Sequence, residues 1–322
     1  MDTVGYSFDV RRMQTHDGPG IRTTVFMKGC SLRCAWCHNP ESFSMQQEVW
    51  WQSDRCIACG KCVDVCPEGA IRADDGIQID WNKCIGCAAC AEACPSKAIE
   101  AIRTEWSVDA LFATINRDRP FLMNGGGVTV SGGEPALQWL FVSRLLERCR
   151  KEGLHTALDT CGAVPPEAFD ALLPHCDLIL FDLKMMDAEA HRKWTGQDNF
   201  QSLENLRRVA EKIRSGADLA LWIRTPLIPG ATANRENIEA IASFIADAIP
   251  GAVERWELCA FNKLCADKYR RFGIRWSMAE GPLLTRSEGE PLLETARSFS
   301  GLSTETVFLN GCMSEIEVEQ AI

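Results

Sequence analysis

The same cysteine ladder occurs twice in this chain, and nothing else in the sequence limits the fold as strongly. Cys56, Cys59, Cys62 and Cys66 precede Pro67; Cys84, Cys87, Cys90 and Cys94 precede Pro95. Both runs read C-x2-C-x2-C-x3-C-P. Their surroundings match as CIACGKCVDVCPEGAI and CIGCAACAEACPSKAI, an internal duplication. A third group, Cys30, Cys34 and Cys37, lies in GCSLRCAWCHNPES with spacing C-x3-C-x2-C. These positions hold most of the chain's 17 cysteines. Thiols crowded this way read as soft-metal ligands and not as a disulfide framework, because 322 residues can bury a core without staples. The duplicated segment has little apolar material and is expected to fold around its metal.

Outside the cysteines the pattern is that of an α/β protein. Strands are expected at 23–28, 127–131, 155–159, 178–182, 219–225 and 254–260. Helices are expected near 108–117, 166–173, 187–194, 200–214 and 234–248, the first capped by Ser107. One more shows Leu137, Leu140, Phe141, Leu145, Leu146 and Cys149 at helical spacing, with Gly153 as its stop. Strands alternating with helices imply a parallel sheet with right-handed crossovers. Periodicity alone fits a doubly wound sheet and an open or closed barrel equally well. In both, chemistry gathers at the C-terminal strand ends. Three segments follow: 1–51 with the first strand and the Cys30–Cys37 loop, 52–100 as an insertion, and 101–322 as the rest of the sheet.

Charge narrows the partners. Lys and Arg number 34 against 44 Asp and Glu, a formal charge of −10, and no dense Lys/Arg run occurs. A nucleic-acid partner, whose phosphates demand cations, is not expected. No apolar run reaches the roughly 18 residues that cross a bilayer. MDTVGYSFDVRRMQTH lacks an apolar signal core, so a cytoplasmic protein with no membrane partner is expected.

The duplicated run resembles the bacterial two-cluster ferredoxins. In that arrangement the fourth cysteine of each run serves the other cluster. The resemblance implies one [4Fe–4S] cube on Cys56, Cys59, Cys62 and Cys94, and another on Cys84, Cys87, Cys90 and Cys66. Both would be closed, suited to electron transfer or to structure. Cys30, Cys34 and Cys37 instead leave one iron of a third cube without a protein ligand, which opens a position for substrate. His38 adjoins Cys37 and is awkwardly placed to reach the same cube. Zinc sites usually pair two distant doublets, which the x3-then-x2 triplet does not match. The other cysteines (149, 161, 176, 259, 265 and 312) are expected to pack as small hydrophobes.

The triplet after a first strand, with Trp36 before its last cysteine, resembles the radical S-adenosylmethionine (SAM) enzymes. Ser131-Gly132-Gly133-Glu134-Pro135 resembles their motif for the methionyl amino group. Asp17-Gly18-Pro19-Gly20-Ile21-Arg22, Asp159-Thr160-Cys161-Gly162, Asp182-Leu183-Lys184, Trp222-Ile223-Arg224 and Ile228-Pro229-Gly230 follow in family order. Together, from about Tyr6 to Phe261, these look like a glycyl-radical-enzyme activating enzyme. The resemblance implies a partial (β/α)6 barrel carrying a small ferredoxin-like insertion. It places Trp36 near adenine, and Gly132, Gly133 and Glu134 at the amino group. Asp182, Lys184 and Arg224 match polar SAM contacts. Asp159 and Thr160, with the backbone of Leu180, match a monovalent-cation site. Each has a plain alternative: packing for Trp36, strand-end capping for the two aspartates, solvation for Lys184 and Arg224. Asp17–Arg22 matches a motif near the partner-docking face and reads equally as a turn. Asn262 stands where the formate-lyase activator type has histidine, and that smaller type lacks the insertion. A glycyl radical enzyme other than ordinary pyruvate formate-lyase is the expected partner.

The implied reaction is reductive cleavage of SAM to a 5′-deoxyadenosyl radical that takes hydrogen from a backbone glycine of the partner. A low-potential donor such as flavodoxin or ferredoxin would supply the electron. Two other readings are a radical SAM enzyme acting on another peptide or a small molecule, and an electron carrier. The second leaves the Cys30–Cys37 triplet unused.

Overall fold

The computed structural model describes residues 3–74 and 76–314. Residues 1–2, Asp75 and 315–322, ends or parts of the three expected segments, lie outside the described residues.

Among the described residues nine strands form the main sheet: β1 (Val4–Gln14), β2 (Arg22–Met27), β3 (Thr104–Ser107), β4 (Gly127–Gly132), β5 (His155–Thr160), β6 (Leu178–Asp182), β7 (Ala220–Leu227), β8 (Arg255–Ala260) and β9 (Val307–Asn310). Their order is β9-β8-β7-β6-β5-β4-β2-β1-β3. From β2 to β9 every neighbouring pair is parallel. The order never reverses, so right-handed crossovers lay the helices on one side and leave the other as an inner face. A doubly wound sheet would reverse, and that alternative falls. The edge strands β9 and β3 are not neighbours in the sheet, so among the described residues the barrel stays open.

Six of the parallel strands are those the pattern predicts. The strands it misses are β1, β3 and β9. β1 pairs antiparallel with β2 across two register shifts, which break the alternation that reveals a strand. The other two have four residues each.

The helices follow the expected caps. Ser107 accepts from the Ala110 amide at 3.2 Å to start α1 (Val108–Asn116). The leucine seam needs a correction. Pro135–Gln138 is a 3-10 turn ahead of α2 (Trp139–Lys151), and Leu137 and Leu140 are exposed. Leu140 lies on the opposite side of the helix from the buried arc of Phe141, Val142, Leu145, Leu146 and Cys149.

The duplicated segment leaves the barrel through a neck in which Val49–Trp51 pairs antiparallel with Ile99–Ala101. Its loops use left-handed backbone at matching places in the two halves: Ala58 and Gly86, Gly60 and Ala88, Gly69 and Lys97. Three of these are not glycine, a strain accepted where a short loop must wrap closely.

Candidate functional site

A cavity of about 360 Å³ opens on the inner face at the C-terminal strand ends. The strands bring inward residues near their C-terminal ends there: Ser131 from β4, Asp159 from β5, Asp182 from β6, Arg224 and Pro226 from β7 and Cys259 from β8. Alternation explains the choice. On β7, Leu221, Ile223, Thr225 and Leu227 are buried under helices, while Trp222, Arg224 and Pro226 face inward.

Cys30, Cys34 and Cys37 line one wall. Burial pushes the Cys34 thiol up to about 11 and raises Cys37 further. A hydrogen bond with Cys161 holds Cys30 below its usual value, against burial. The Asn39 amide donates to the Cys37 sulfur at 3.4 Å. The loop is held from afar. The Tyr269 hydroxyl donates to the Cys37 carbonyl at 2.9 Å, the Trp276 indole to the Ala35 carbonyl at 2.8 Å, and the Lys268 ammonium to the His38 carbonyl at 2.9 Å. These three are functional-site residues that sequence reasoning misses. No spacing signals a contact across more than two hundred residues of chain.

The same cavity is lined by a layer of mixed charge. Ser131 donates to Asp159 at 2.6 Å, and Arg224 lies 3.7 Å from Asp159 and 3.1 Å from Glu257. Lys184 pairs with Asp182 at 2.6 Å. Burial pushes the Asp159 carboxyl up to about 7, against the pull of Arg224. Burial alone would lower the Lys184 ammonium, but Asp182, Cys34 and Cys161 outweigh it and hold it above its ordinary value.

Gly132 and Gly133 line the cavity for a steric reason. A Cβ at Gly132 would meet the Met27 amide nitrogen at 2.3 Å, and one at Gly133 the Gly29 carbonyl at 2.2 Å. Trp36 reaches the cavity from an apolar cluster with Met185, Ile228 and Phe261. Thr160 and Asn262 also line it; the Asn262 side-chain oxygen accepts from the Leu264 amide at 3.1 Å. His38 is at the rim with Nε2 3.2 Å from the Asn262 carbonyl.

Glu134 is placed differently. Fully buried, its carboxylate accepts from Thr160 Oγ1 at 2.8 Å, the Cys161 amide at 2.8 Å and the Ala136 amide at 3.0 Å. It ties two loops together and is not among the residues lining the cavity. The Leu180 side chain packs below with Ala157 and Leu178. Asp17–Arg22 is a fixed turn. Thr24 donates to the Asp17 carboxylate at 2.7 Å, and buried Arg22 donates to Thr129 at 2.6 Å and to the Pro19 carbonyl at 3.1 Å.

The scattered cysteines divide. Cys149, Cys176 and Cys265 pack in the interior as expected. Cys161 and Cys259 instead line the cavity, because the strand ends of β5 and β8 turn them inward, and Cys312 is exposed beyond β9.

In the insertion, Cys56, Cys59, Cys62 and Cys94 surround one small cavity. Cys66, Cys84, Cys87 and Cys90 surround another. Among the described residues no three His, Cys, Asp or Glu are grouped as a single metal ion requires; the thiols stand around a space. In matching positions the Ala70 amide donates to the Cys66 sulfur at 3.3 Å and the Ala98 amide to the Cys94 sulfur at 3.2 Å. Such donors stabilise thiolates bound to iron–sulfur clusters. Among the described residues no helix is long and apolar enough to cross a membrane.

The chain is similar to known iron–sulfur and radical SAM proteins. Residues 82–245 match the Radical SAM superfamily, residues 55–98 a 4Fe-4S dicluster domain and residues 16–60 a 4Fe-4S single cluster domain. The chain is 38% identical over 290 residues to the (2S)-3-sulfopropanediol dehydratase activating enzyme of Klebsiella oxytoca, covering 88% of this chain and 90% of that one. It is 38% identical over 301 residues to the trans-4-hydroxy-L-proline dehydratase activating enzyme of Clostridioides difficile, covering 92% and 97%. A radical SAM methyltransferase from Sphaerobacter thermophilus shares the fold, with a TM-score of 0.51 over 96% of this chain and 77% of that one, at 13% identity.

Proposed function

Because the chain belongs to the radical SAM superfamily, among the activating enzymes of glycyl radical enzymes, we propose how its residues divide that work. The enzyme binds [4Fe–4S] clusters and SAM and acts on a glycyl radical enzyme. Our reading is that there are three clusters. Cys30, Cys34 and Cys37 hold the one that meets SAM; the two cysteine sets of the insertion hold the others.

A single observation carries the assignment: the cysteine triplet and the mixed-charge layer line one cavity. SAM carries a carboxylate, an amino group and a sulfonium. The layer offers Lys184 and Arg224 to the first, and Asp159 and Asp182 to the cations. Gly132 and Gly133 keep the backbone bare beside the amino group, and Trp36 supplies an apolar wall for adenine. Asn262 lies at the rim near the same moiety. Glu134 acts by holding the loops that carry Gly133 and Thr160 in register. A monovalent cation beside Asp159 and Thr160 would offset the negative charge of an ionised Asp159.

When bound, the cluster and SAM supply one-electron reductive cleavage and a carbon-centred radical. The protein's part is to position a partner glycine against that radical and to exclude water. The open edge between β9 and β3 gives a partner loop room to enter. The electron donor we expect is a low-potential carrier such as flavodoxin or ferredoxin, in the cytoplasm, with neither nucleic acid nor membrane involved.

The test is electron paramagnetic resonance on an anaerobic mixture of reconstituted protein, reductant, SAM and a candidate glycyl radical enzyme. A glycine-centred doublet with matching 5′-deoxyadenosine is expected, and its loss in Cys37→Ala. Normal SAM cleavage by Cys37→Ala would overturn the site assignment.

A further inference from the structure

The two cysteine sets of the insertion are not equivalent in their attachment to the barrel. Trp81 lies in the turn that closes on Cys84, whose amide donates to the Asp80 carbonyl at 3.0 Å. The Trp81 ring sits 6.4 Å from the Phe272 ring, and a Cβ on Gly273 would meet its Nε1 at 2.4 Å. Trp50 of the neck meets Phe272 at 6.0 Å, with Arg271 over its ring at 4.7 Å. Gly86, between Cys84 and Cys87, lies against the Gln47 carbonyl, which a Cβ would meet at 1.9 Å. From Phe272 the path is short. Its amide bonds back to Tyr269, and the Tyr269 hydroxyl donates to the Cys37 carbonyl at 2.9 Å. Tyr269 also stacks on Trp276 at 5.1 Å, and Trp276 holds Ala35. At the other set, Gly60 beside Cys59 has nothing within 4 Å of its Cβ position; Ile57 and its counterpart Ile85 are equally exposed at 64%, so the sets differ in what their turns pack on and not in these flanks.

We infer that the set Cys66, Cys84, Cys87 and Cys90 is the inner one and passes the electron to the Cys30–Cys37 site, while Cys56, Cys59, Cys62 and Cys94 form the outer one. The inference rests on the three-cluster reading above. Through-protein electron transfer weakens steeply with distance, so the site whose turn packs on the stretch that holds the receiving loop is the immediate donor. One electron leaves an external low-potential carrier, resides on the inner site and moves to the Cys30–Cys37 site. In the insertion no bond forms or breaks, no proton moves, and each site returns to its starting oxidation state.

The test is magnetic. In the fully reduced holoenzyme, neighbouring paramagnetic sites broaden each other's resonance. Cys87→Ala is expected to remove the broadening of the Cys30–Cys37 signal, and Cys59→Ala to leave it. Broadening that survives Cys87→Ala and disappears in Cys59→Ala reverses the order and overturns the inference. Phe272→Ala keeps every cysteine and guards against misfolding: it is expected to narrow the broadened signal at unchanged iron content, and an unchanged signal counts against the bridge. Iron analysis of the wild-type protein tests the underlying reading separately, since fewer than three clusters per chain would defeat that reading whatever the order.

Discussion

Replacing Glu134 by alanine separates two roles for the same residue. A carboxylate that meets SAM directly would matter only when SAM is present. The structure instead gives it four donors, the Ala136 and Cys161 amides, the Thr160 hydroxyl and the Cys161 thiol, at 2.8–3.0 Å in a fully buried setting. The hydroxyl can turn elsewhere, but the two amides cannot. Each buried donor left without an acceptor costs about 1–3 kcal/mol, so the pair costs about 2–6 kcal/mol. At about 2 °C per kcal/mol, the unfolding midpoint falls by about 4–12 °C. Glu134→Gln retains one acceptor oxygen and should fall between. The assay is anaerobic thermal unfolding of reconstituted protein without SAM, followed by tryptophan fluorescence, alongside SAM binding by equilibrium dialysis. A Glu134→Ala protein that melts with the wild type yet binds no SAM would refute the tie and return Glu134 to the ligand.

Other consequences can be checked separately. Gly60→Ala should cost about 1 kcal/mol of backbone strain and keep its clusters, because its Cβ has open space and Ala88 already tolerates the matching position; Gly86→Ala, aimed at the Gln47 carbonyl, should shed iron to a chelator far faster. Lys268→Met strands the buried Glu41 carboxylate that it meets at 2.6 Å, so a loss of about 3 kcal/mol and weaker iron retention at the Cys30–Cys37 site are expected, with Lys268→Arg restoring much of both. His191 is buried, and that burial lowers its folded pKa below the unfolded value of about 6.5. The unfolded chain therefore takes up the proton first, and stability falls as pH drops through that value toward the lower folded one; His191→Gln should flatten the thermal midpoint between about pH 7.5 and 5.5 relative to wild type.

What could be read from the sequence was local. Six parallel strands and the cysteine spacings are signals carried within a few residues, and the strand ends place Asp159, Asp182 and Arg224 around one space once the order is known. What could not be read was long-range. Tyr269, Lys268 and Trp276 hold the Cys30–Cys37 loop, but nothing near them in the chain marks that task. The direction of Glu134 was equally hidden, because a Gly-Gly-Glu-Pro turn looks the same whether its carboxylate meets a ligand or the Thr160 loop. Cys161 and Cys259 read as core residues because a buried thiol and a thiol facing a buried cavity share one composition signal.

The neck explains how one barrel can carry an insertion of this size. Val49–Trp51 and Ile99–Ala101 pair as antiparallel neighbours, so the segment leaves and returns at one place and closes a loop that need not disturb the sheet. That geometry would suit a freely hanging module, whose sites could sit at any distance from the barrel. The contacts of Trp50 and Trp81 with Phe272 remove that freedom. They bind the insertion to the short helix Ala266–Arg271 and its flanks, the same stretch that grips the Cys30–Cys37 loop through Tyr269 and Lys268. A structural ornament would need only the neck. Fixing one cysteine set against the stretch that holds the SAM-facing loop is what a relay requires, because the distance must be the same at every turnover.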